Sequence, residues 1–454
     1  MSKLRNLDFI LLDNAQKLSN LDFFVVNTLA YSIIYFVCHV YGELTMMKLW
    51  NRNFSILTVG SFISALGSAA AGIAFGILIY IETESPLALA LFTVANIIPR
   101  LITSIIVGPF IDRYPRVKLI YSIDFFYTVF FFFVSLVLFS GYFNVFVYTA
   151  IAAFFGIIDT VYQIAFMSLF PEVITPGNHT KAYSISSLIW PISAAIMAPI
   201  AAFMIESVVN GIAWLMVFNA ITFFITATIE TKIKVAEKLN EKPVEGITFI
   251  TDLKEGIAYY KLERGILGIG VLFAAFSFVY AASDLLRMPY FVNHEILTLQ
   301  NFSFIISASA IGRMIGGLIH YFVKYPAQKK YLIAVSVYIT VEILSATLLY
   351  MPYVLMVAVS FIVGLLSVTS FNIRMSATQV YIPSTIRGRV NSTQQMLWNL
   401  GTILGTLIIG LVAQYSGLEY RLIILLASSV SLSAIILIPL RMKNEFKKIY
   451  NVDI

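Results

Sequence analysis

Several ionisable side chains lie within long apolar segments of the chain, where a carboxyl group could exchange protons. A charged group costs several kcal/mol in hydrocarbon unless it is paired or lines a cavity. A buried carboxylate can therefore take up a proton when its cationic partner moves away, because desolvation disfavours the charged form. We predict this role for Asp159 and Glu342 first and for Asp124 next, with Arg100 and Arg313 at similar depth. Asp284, Arg287 and Arg374 lie in such segments as well.

The alternative interpretation is that these residues form fixed ion pairs that hold neighbouring helices together. The sequence does not show which pairs form, so both interpretations stay open for each residue.

The composition predicts a membrane protein. Only 12% of the 454 residues are charged and 59% are hydrophobic, whereas a soluble domain averages about 25% charged residues. This excludes an ordinary soluble enzyme, a disordered chain and a disulfide-rich secreted scaffold. The single cysteine, Cys38, and four scattered histidines predict neither an internal disulfide nor a metal site. We expect no cofactor and no nucleic-acid partner.

From Phe54 onward the chain contains twelve apolar stretches, each near the ~20 residues that a helix needs to cross a bilayer. We therefore predict an all-α membrane protein with twelve transmembrane helices. The predicted spans are 54–81, 87–110, 119–140, 142–168, 184–206, 211–230, 265–287, 301–323, 331–350, 353–378, 391–414 and 421–440.

Lysine and arginine are confined to alternate loops. Twenty of them lie in the loops after the even-numbered spans and in the tail, while the cores of the opposite loops contain none. Because positively charged loops stay in the cytoplasm, we predict a plasma-membrane protein whose twelve-helix unit has both ends in the cytoplasm.

The only long polar segment, 231–264, divides the spans six and six. Its mixed charge predicts a cytoplasmic linker, with a short amphipathic helix in its second half. A short internal sequence repeat supports two related halves, since Ile98-Pro-Arg100-Leu-Ile102 recurs as Ile311-Gly-Arg313-Met-Ile315. The predicted domains are an N-terminal extension (1–46), a six-helix half (47–230), the linker (231–264), a second half (265–440) and a cytoplasmic tail (441–454).

The first 46 residues allow two interpretations. Segment 21–41 is apolar enough to cross a membrane, but a span there would place Lys3, Arg5 and Lys17 outside, against the charge rule. We expect a non-spanning extension or a start at Met46 or Met47, with an extra helix as the alternative.

The loop after the second span reads Gly108-Pro-Phe-Ile-Asp112-Arg113-Tyr-Pro-Arg116-Val-Lys118. The glycine permits close helix approach, the aspartate can cap a helix or hold a basic neighbour, and the arginines anchor the loop. A second motif, Gln379-Val-Tyr-Ile-Pro383-Ser-Thr-Ile-Arg387-Gly388-Arg389-Val390, follows the tenth span.

The first motif resembles the signature loop of the major facilitator superfamily, although Pro115 and Val117 replace its usual glycine and base. The second motif is similar to one in the branch that contains macrolide-efflux and siderophore-export proteins. The resemblance begins near Lys48 and covers nearly all of the rest. It implies two six-helix halves that rock around a central site, usually with proton exchange, and a conformational latch at Gly108, Asp112, Arg113 and Arg116. Residues Gln379, Pro383, Arg387, Gly388 and Arg389 carry the branch motif.

The fifth span also resembles the glycine-rich motif of antiporters, with Ala194, Ala198 and Ala202 in the glycine positions beside Pro199. An ordinary interface of small residues explains the same pattern.

No P-loop motif is present, so this chain is not expected to bind ATP through one. Transport would then be driven by gradients, including the membrane potential, at ~2.3 kcal/mol per charge per 100 mV. Most aromatic side chains are expected to face lipid or other helices, but some could line a cavity for amphipathic compounds. The candidate cavity residues are Tyr162, Gln163, Trp190, Asn219 and Trp398.

We thus predict a secondary transporter that acts as a monomer and exports amphipathic, macrolide-type small molecules in exchange for protons. One alternative is an importer of a nutrient or metabolite with the same fold. Another is a membrane-embedded enzyme or a sensor without transport, but the sequence shows no polar catalytic cluster. We therefore do not expect an enzyme.

Overall fold

The computed structural model describes residues 49–111, 114–175, 178–235, 249–322, 325–383 and 386–451. The predicted N-terminal extension lies outside the described residues. Within them the chain forms fourteen α-helices. The first six are α1 (Arg52–Thr83), α2 (Pro86–Ile111), α3 (Arg116–Phe139), α4 (Val145–Val173), α5 (His179–Ser207) and α6 (Gly211–Glu230). The others are α7 (Phe249–Leu262), α8 (Arg264–Val292), α9 (Leu299–Phe322), α10 (Lys330–Thr347), α11 (Tyr353–Tyr381), α12 (Arg387–Tyr415), α13 (Tyr420–Arg441) and α14 (Lys443–Tyr450).

Twelve of these helices, α1–α6 and α8–α13, are long and apolar enough to cross a membrane. This confirms the predicted all-α, twelve-span architecture. Many observed helices extend several residues beyond the predicted spans. The predicted spans stop where hydrophobicity decreases, whereas the helices end at polar caps and turns. Asn51 begins α1 by accepting a hydrogen bond from the Phe54 amide at 2.9 Å, and Asn144 caps α4 in the same way. Helix α7 lies in the second half of segment 231–264, where a short helix was predicted.

The C-terminal ends of α2, α4, α6, α9, α11 and α13 share one face of the bundle because each spanning helix reverses the chain. We call it the basic face, since the segments that follow these ends carry the lysines and arginines counted above. The loops after α1, α3, α5, α8, α10 and α12 lie at the opposite face.

The two halves repeat one packing arrangement. Helix α2 packs on α4, and α9 packs on α11. At the first crossing, a Cβ on Gly156 would lie 2.2 Å from the Asn96 carbonyl oxygen, one turn before Arg100. At the second, a Cβ on Gly364 would lie 2.1 Å from the Ser309 carbonyl oxygen, one turn before Arg313. Glycine thus lets the backbones touch beside the arginine in both halves, as small residues do at membrane helix interfaces.

The two halves share one apolar core at the opposite face, but each half has its own core at the basic face. The cluster of buried side chains at the opposite face includes Tyr80 and Leu89 of the first half together with Phe291 and Ile423 of the second. At the basic face each half has its own cluster, one around Phe54 and Leu169 and the other around residues 260–273, 331–338 and 446–450.

Hydrogen bonds between the halves also lie at the opposite face or deeper in the bundle. The Tyr80 hydroxyl lies 3.0 Å from that of Tyr420 and accepts a hydrogen bond from Asn293 at 2.7 Å. Glu206 accepts one from the Leu299 amide at 2.6 Å. Deeper in the bundle, Ser307 donates to the Ala195 carbonyl at 2.8 Å. The structure is therefore closed at the opposite face.

We predict that Gly156→Ala and Gly364→Ala each destabilise the protein by about 1–3 kcal/mol, because the new methyl group would overlap a backbone carbonyl. The measurement is the melting temperature of purified protein in detergent. Gly72→Ala is the matched control, since nothing lies within 4 Å of its added Cβ. Equal melting temperatures for all three variants would contradict the close crossings.

Candidate functional site

A cavity of about 790 Å³ lies in the second half, on the side that α5 of the first half covers. Most of its wall comes from α8, α9, α10 and α11 of the second half, and α5 closes the side toward the first half with Trp190, Pro191 and Ala194. The wall is mainly apolar and aromatic, with Phe273, Phe276 and Phe371 among its residues. Its size and character suit a drug-sized ligand.

Five charged side chains face this cavity: Asp284, Arg287, Arg313, Glu342 and Arg374. They come from four helices, so the cavity brings together charges that are dispersed along the sequence. Three arginines against two carboxylates give the wall one formal positive charge in excess. Among the predicted proton-coupling residues, Glu342 and Arg313 are placed here.

The predicted cavity residues divide into two groups. Trp190 and Trp398 lie on the cavity wall. Asn219 is fully buried between α6 and α1, where a Cβ on Gly67 would meet its side chain at 2.3 Å. Tyr162 stacks on Phe166 within the first half, with 6.2 Å between ring centroids. Gln163, the next residue on α4, is exposed.

Arg100 and Asp159 form an ion pair in the first half. The Arg100 Nη2 lies 3.2 Å from Asp159 Oδ2, and the Tyr127 hydroxyl donates to Asp159 Oδ1 at 2.6 Å. The two ionic side chains are half-exposed at 50% and 39%. This pair joins α2 to α4 beside the glycine crossing, and Tyr127 joins α3 to α4. Asp159 therefore has both a cationic partner and a hydroxyl donor.

Asp124 on α3 faces a carboxyl group that the sequence prediction missed, Glu230 at the end of α6. Both side chains are fully buried, and none of their four oxygens accepts a hydrogen bond from the described residues. Tyr127, Tyr162 and Asp159 are the other titratable groups nearby. Two carboxyl groups in this position can satisfy each other only by sharing a proton. Glu230 ends an apolar run directly before the charged linker, so it resembled a helix-end residue at the membrane surface.

Of the predicted latch residues, Arg116 lies at the basic face. Arg116 begins α3, and its Nη1 lies 2.6 Å from Glu172 Oε1 at the end of α4. Gly108 lies in α2. Asp112 and Arg113 lie outside the described residues. The arrangement shows an arginine of the loop anchored to a carboxylate, and Glu172 is the partner that the sequence did not identify.

The branch motif contacts the linker helix. Arg389 Nη1 lies 2.6 Å from Glu255 Oε2 on α7, and a Cβ on Gly256 would meet the Arg389 carbonyl oxygen at 2.8 Å. Arg387, at the start of α12, donates to the Ile382 carbonyl at 3.1 Å, just after the end of α11. Gln379 donates to Asn391 at 3.0 Å, while Gly388 faces open space. The motif therefore secures the turn between α11 and α12 and docks the linker on it.

Helix α14 of the tail also contacts the end of α11. A hydrogen bond with the Tyr381 hydroxyl raises the pKa of Lys448 on α14, and that hydroxyl also donates to Glu263 at 2.8 Å. At the opposite face, hydrogen bonding to Arg421 lowers the pKa of Glu419.

Comparisons with known proteins agree with this architecture. A family model described as Major Facilitator Superfamily matches residues 57–405. No curated protein matches the chain. Among solved structures, nucleoside transporter NupG is similar with 15% identity, a TM-score of 0.61, and coverage of 86% of this chain and 99% of that one.

Two further structures share the fold. A bacterial homologue of the human lysosomal transporter Spinster, inward-facing and unoccupied, is 12% identical with a TM-score of 0.58, covering 87% of this chain and 95% of that one. A bacterial homologue of the iron transporter ferroportin, outward-facing, is 19% identical with a TM-score of 0.56, covering 87% and 99%. These identities establish the fold and leave the substrate open. Since the family match spans most of the chain, this multi-pass membrane protein belongs to the Major Facilitator Superfamily of transporters.

Proposed function

We propose that the protein is a proton-coupled exporter of amphipathic small molecules that works by alternating access. The observation that carries the proposal is the cavity that the second half forms against α5 of the first half, whose aromatic wall contains Glu342. A carboxylate in an apolar cavity can bind a proton, and its occupancy then changes with the substrate and the neighbouring arginines.

Alternating access is supported by the one-sided closure of the bundle. The halves share apolar core and hydrogen bonds at the face opposite the basic loops, and they have separate cores at the basic face. We propose that the basic face is cytoplasmic, because of the lysine and arginine distribution. The cavity would then receive substrate from the cytoplasm in this state.

Proton coupling has three candidate positions in this proposal. Glu342 lines the cavity and lies near Ser428, Ser431 and Arg287. Asp159 lies beside Arg100 and Tyr127, and Asp124 faces Glu230. Rocking of the halves would change the solvent and the cations around these carboxylates. We place the substrate-linked step at Glu342, because it alone of the three lines the cavity.

Export is the direction that the resemblance to efflux proteins favours, and uptake by the same mechanism is the alternative. We predict that cells that produce the protein accumulate less of an amphipathic dye than control cells, and that a protonophore abolishes the difference. Fluorescence of cell-associated dye measures this. Equal accumulation with and without the protein across dyes and macrolides would refute export, and greater accumulation would indicate an importer.

We predict that Glu342→Gln flattens the pH dependence of transport, since the amide cannot take up a proton. Asp159→Asn is expected to do the same if its ion pair opens in each cycle. Transport rates in proteoliposomes over a range of internal pH test both. Glu295→Gln is the control, because Glu295 is exposed in the loop after α8. A wild-type pH profile in both test variants would remove these residues from the proton path.

A further inference from the structure

Among the described residues, no carboxylate lies within ion-pair distance of any of the three arginines of the cavity wall. Arg287 and Arg313 still interact electrostatically with Asp284, and Arg287 also does so with Glu342. Arg374 on α11 lies apart from them. Among the described residues no carboxylate forms an ion pair with it, and its Nε has no hydrogen-bond partner.

The side chain of Arg374 is held in place by aromatic rings. Its guanidinium lies 3.8 Å from the Phe273 ring centroid and 5.4 Å from that of Phe371. Tyr260, Tyr338 and Tyr450 are the titratable groups that face it. The residue is 7% exposed and lines the cavity. Rings stabilise one face of a guanidinium, but they leave its in-plane N–H donors unused.

A buried arginine without an anionic partner costs free energy of folding. Its position in a cavity wall therefore points to an anionic ligand that binds there. A guanidinium binds an oxyanion through two parallel hydrogen bonds, which adds orientation to charge. Trp398 and Phe276 lie on the same cavity wall and offer apolar surface for the remainder of such a molecule.

We propose that the cavity binds amphipathic organic anions, with the carboxylate or a similar oxyanion on Arg374 and the apolar body against the neighbouring rings. This inference rests on the proposed transport function and specifies its substrate class. The excess positive charge of the cavity disfavours cationic amphiphiles, including amine-bearing macrolides. Preferential binding of such cations is therefore the competing outcome of the test.

The test uses a matched pair of fluorescent probes, pyrenebutanoate and pyrenebutylamine, which share the ring system and differ in charge. Binding is measured by fluorescence anisotropy with the full-length protein in nanodiscs of zwitterionic phosphatidylcholine, and empty nanodiscs give the background. We expect the wild-type protein to bind the anion at least about tenfold more tightly than the amine, as one charged hydrogen bond can supply. An equal or reversed preference would overturn the proposal, and this result needs no variant.

Arg374→Gln is expected to weaken anion binding about tenfold or more and to leave the amine unchanged or bound more tightly. Arg374→Lys should retain part of the anion affinity, because it keeps the charge and loses the paired geometry. Arg264→Gln, at an exposed arginine where α8 begins, is the control for a lost positive charge. Size-exclusion profiles and melting temperatures check folding. Unchanged anion binding in a folded Arg374→Gln variant would also overturn the proposal.

This binding assay is independent of the transport assay. Anion-selective binding without proton-dependent export would support the substrate class and refute the proposed function. Proton-dependent dye export without anion preference would refute the inference alone.

Discussion

The distribution of apolar core between the two halves governs what this protein can do. At the face opposite the basic loops, side chains from both halves form one buried cluster. There Tyr80 of the first half forms hydrogen bonds with Tyr420 and Asn293 of the second half. At the basic face each half packs on itself. In a bilayer, lipid and the neighbouring helix offer similar apolar surroundings, so small side chains and a few polar contacts decide which surfaces stay together.

Charged residues are tolerated because the fold gives each a defined environment. Arg100 has Asp159, Arg116 has Glu172, and Arg389 has Glu255. The first pair lies at the helix crossing of the N-terminal half, and the other two lie at the basic face. Arg374 differs from these three, since aromatic rings surround it within the cavity. The two pairs at the basic face support the turns there, whereas we propose that a ligand completes the contacts of the cavity arginine. In the exchange that we propose, export of an anion and entry of a proton would both move charge in the direction that the membrane potential favours.

The sequence predicted the twelve spans well, because length and apolarity are properties of a single segment. It also predicted the repeated arginine, since Arg100 and Arg313 occupy equivalent helices beside Gly156 and Gly364. It could not assign partners, because those depend on the rotation of each helix about its own axis. Asn219 is polar and mid-span, yet it turns toward Gly67 and away from the cavity. Glu230 was missed for the same reason, since only the packing of α6 on α3 brings it to Asp124.

The most direct test of the account is the distance between the halves at both faces, measured by double electron–electron resonance on spin-labelled protein in a Cys38→Ser background. One label pair, Val209→Cys with Tyr415→Cys, reports on the opposite face, and Tyr114→Cys with Gln395→Cys reports on the basic face; all four positions are exposed. Each pair is measured at acidic and alkaline pH, with and without Glu342→Gln. The account predicts that one distance lengthens as the other shortens, and that Glu342→Gln removes the pH response. Two distances that stay fixed, or that change in the same direction, would contradict it.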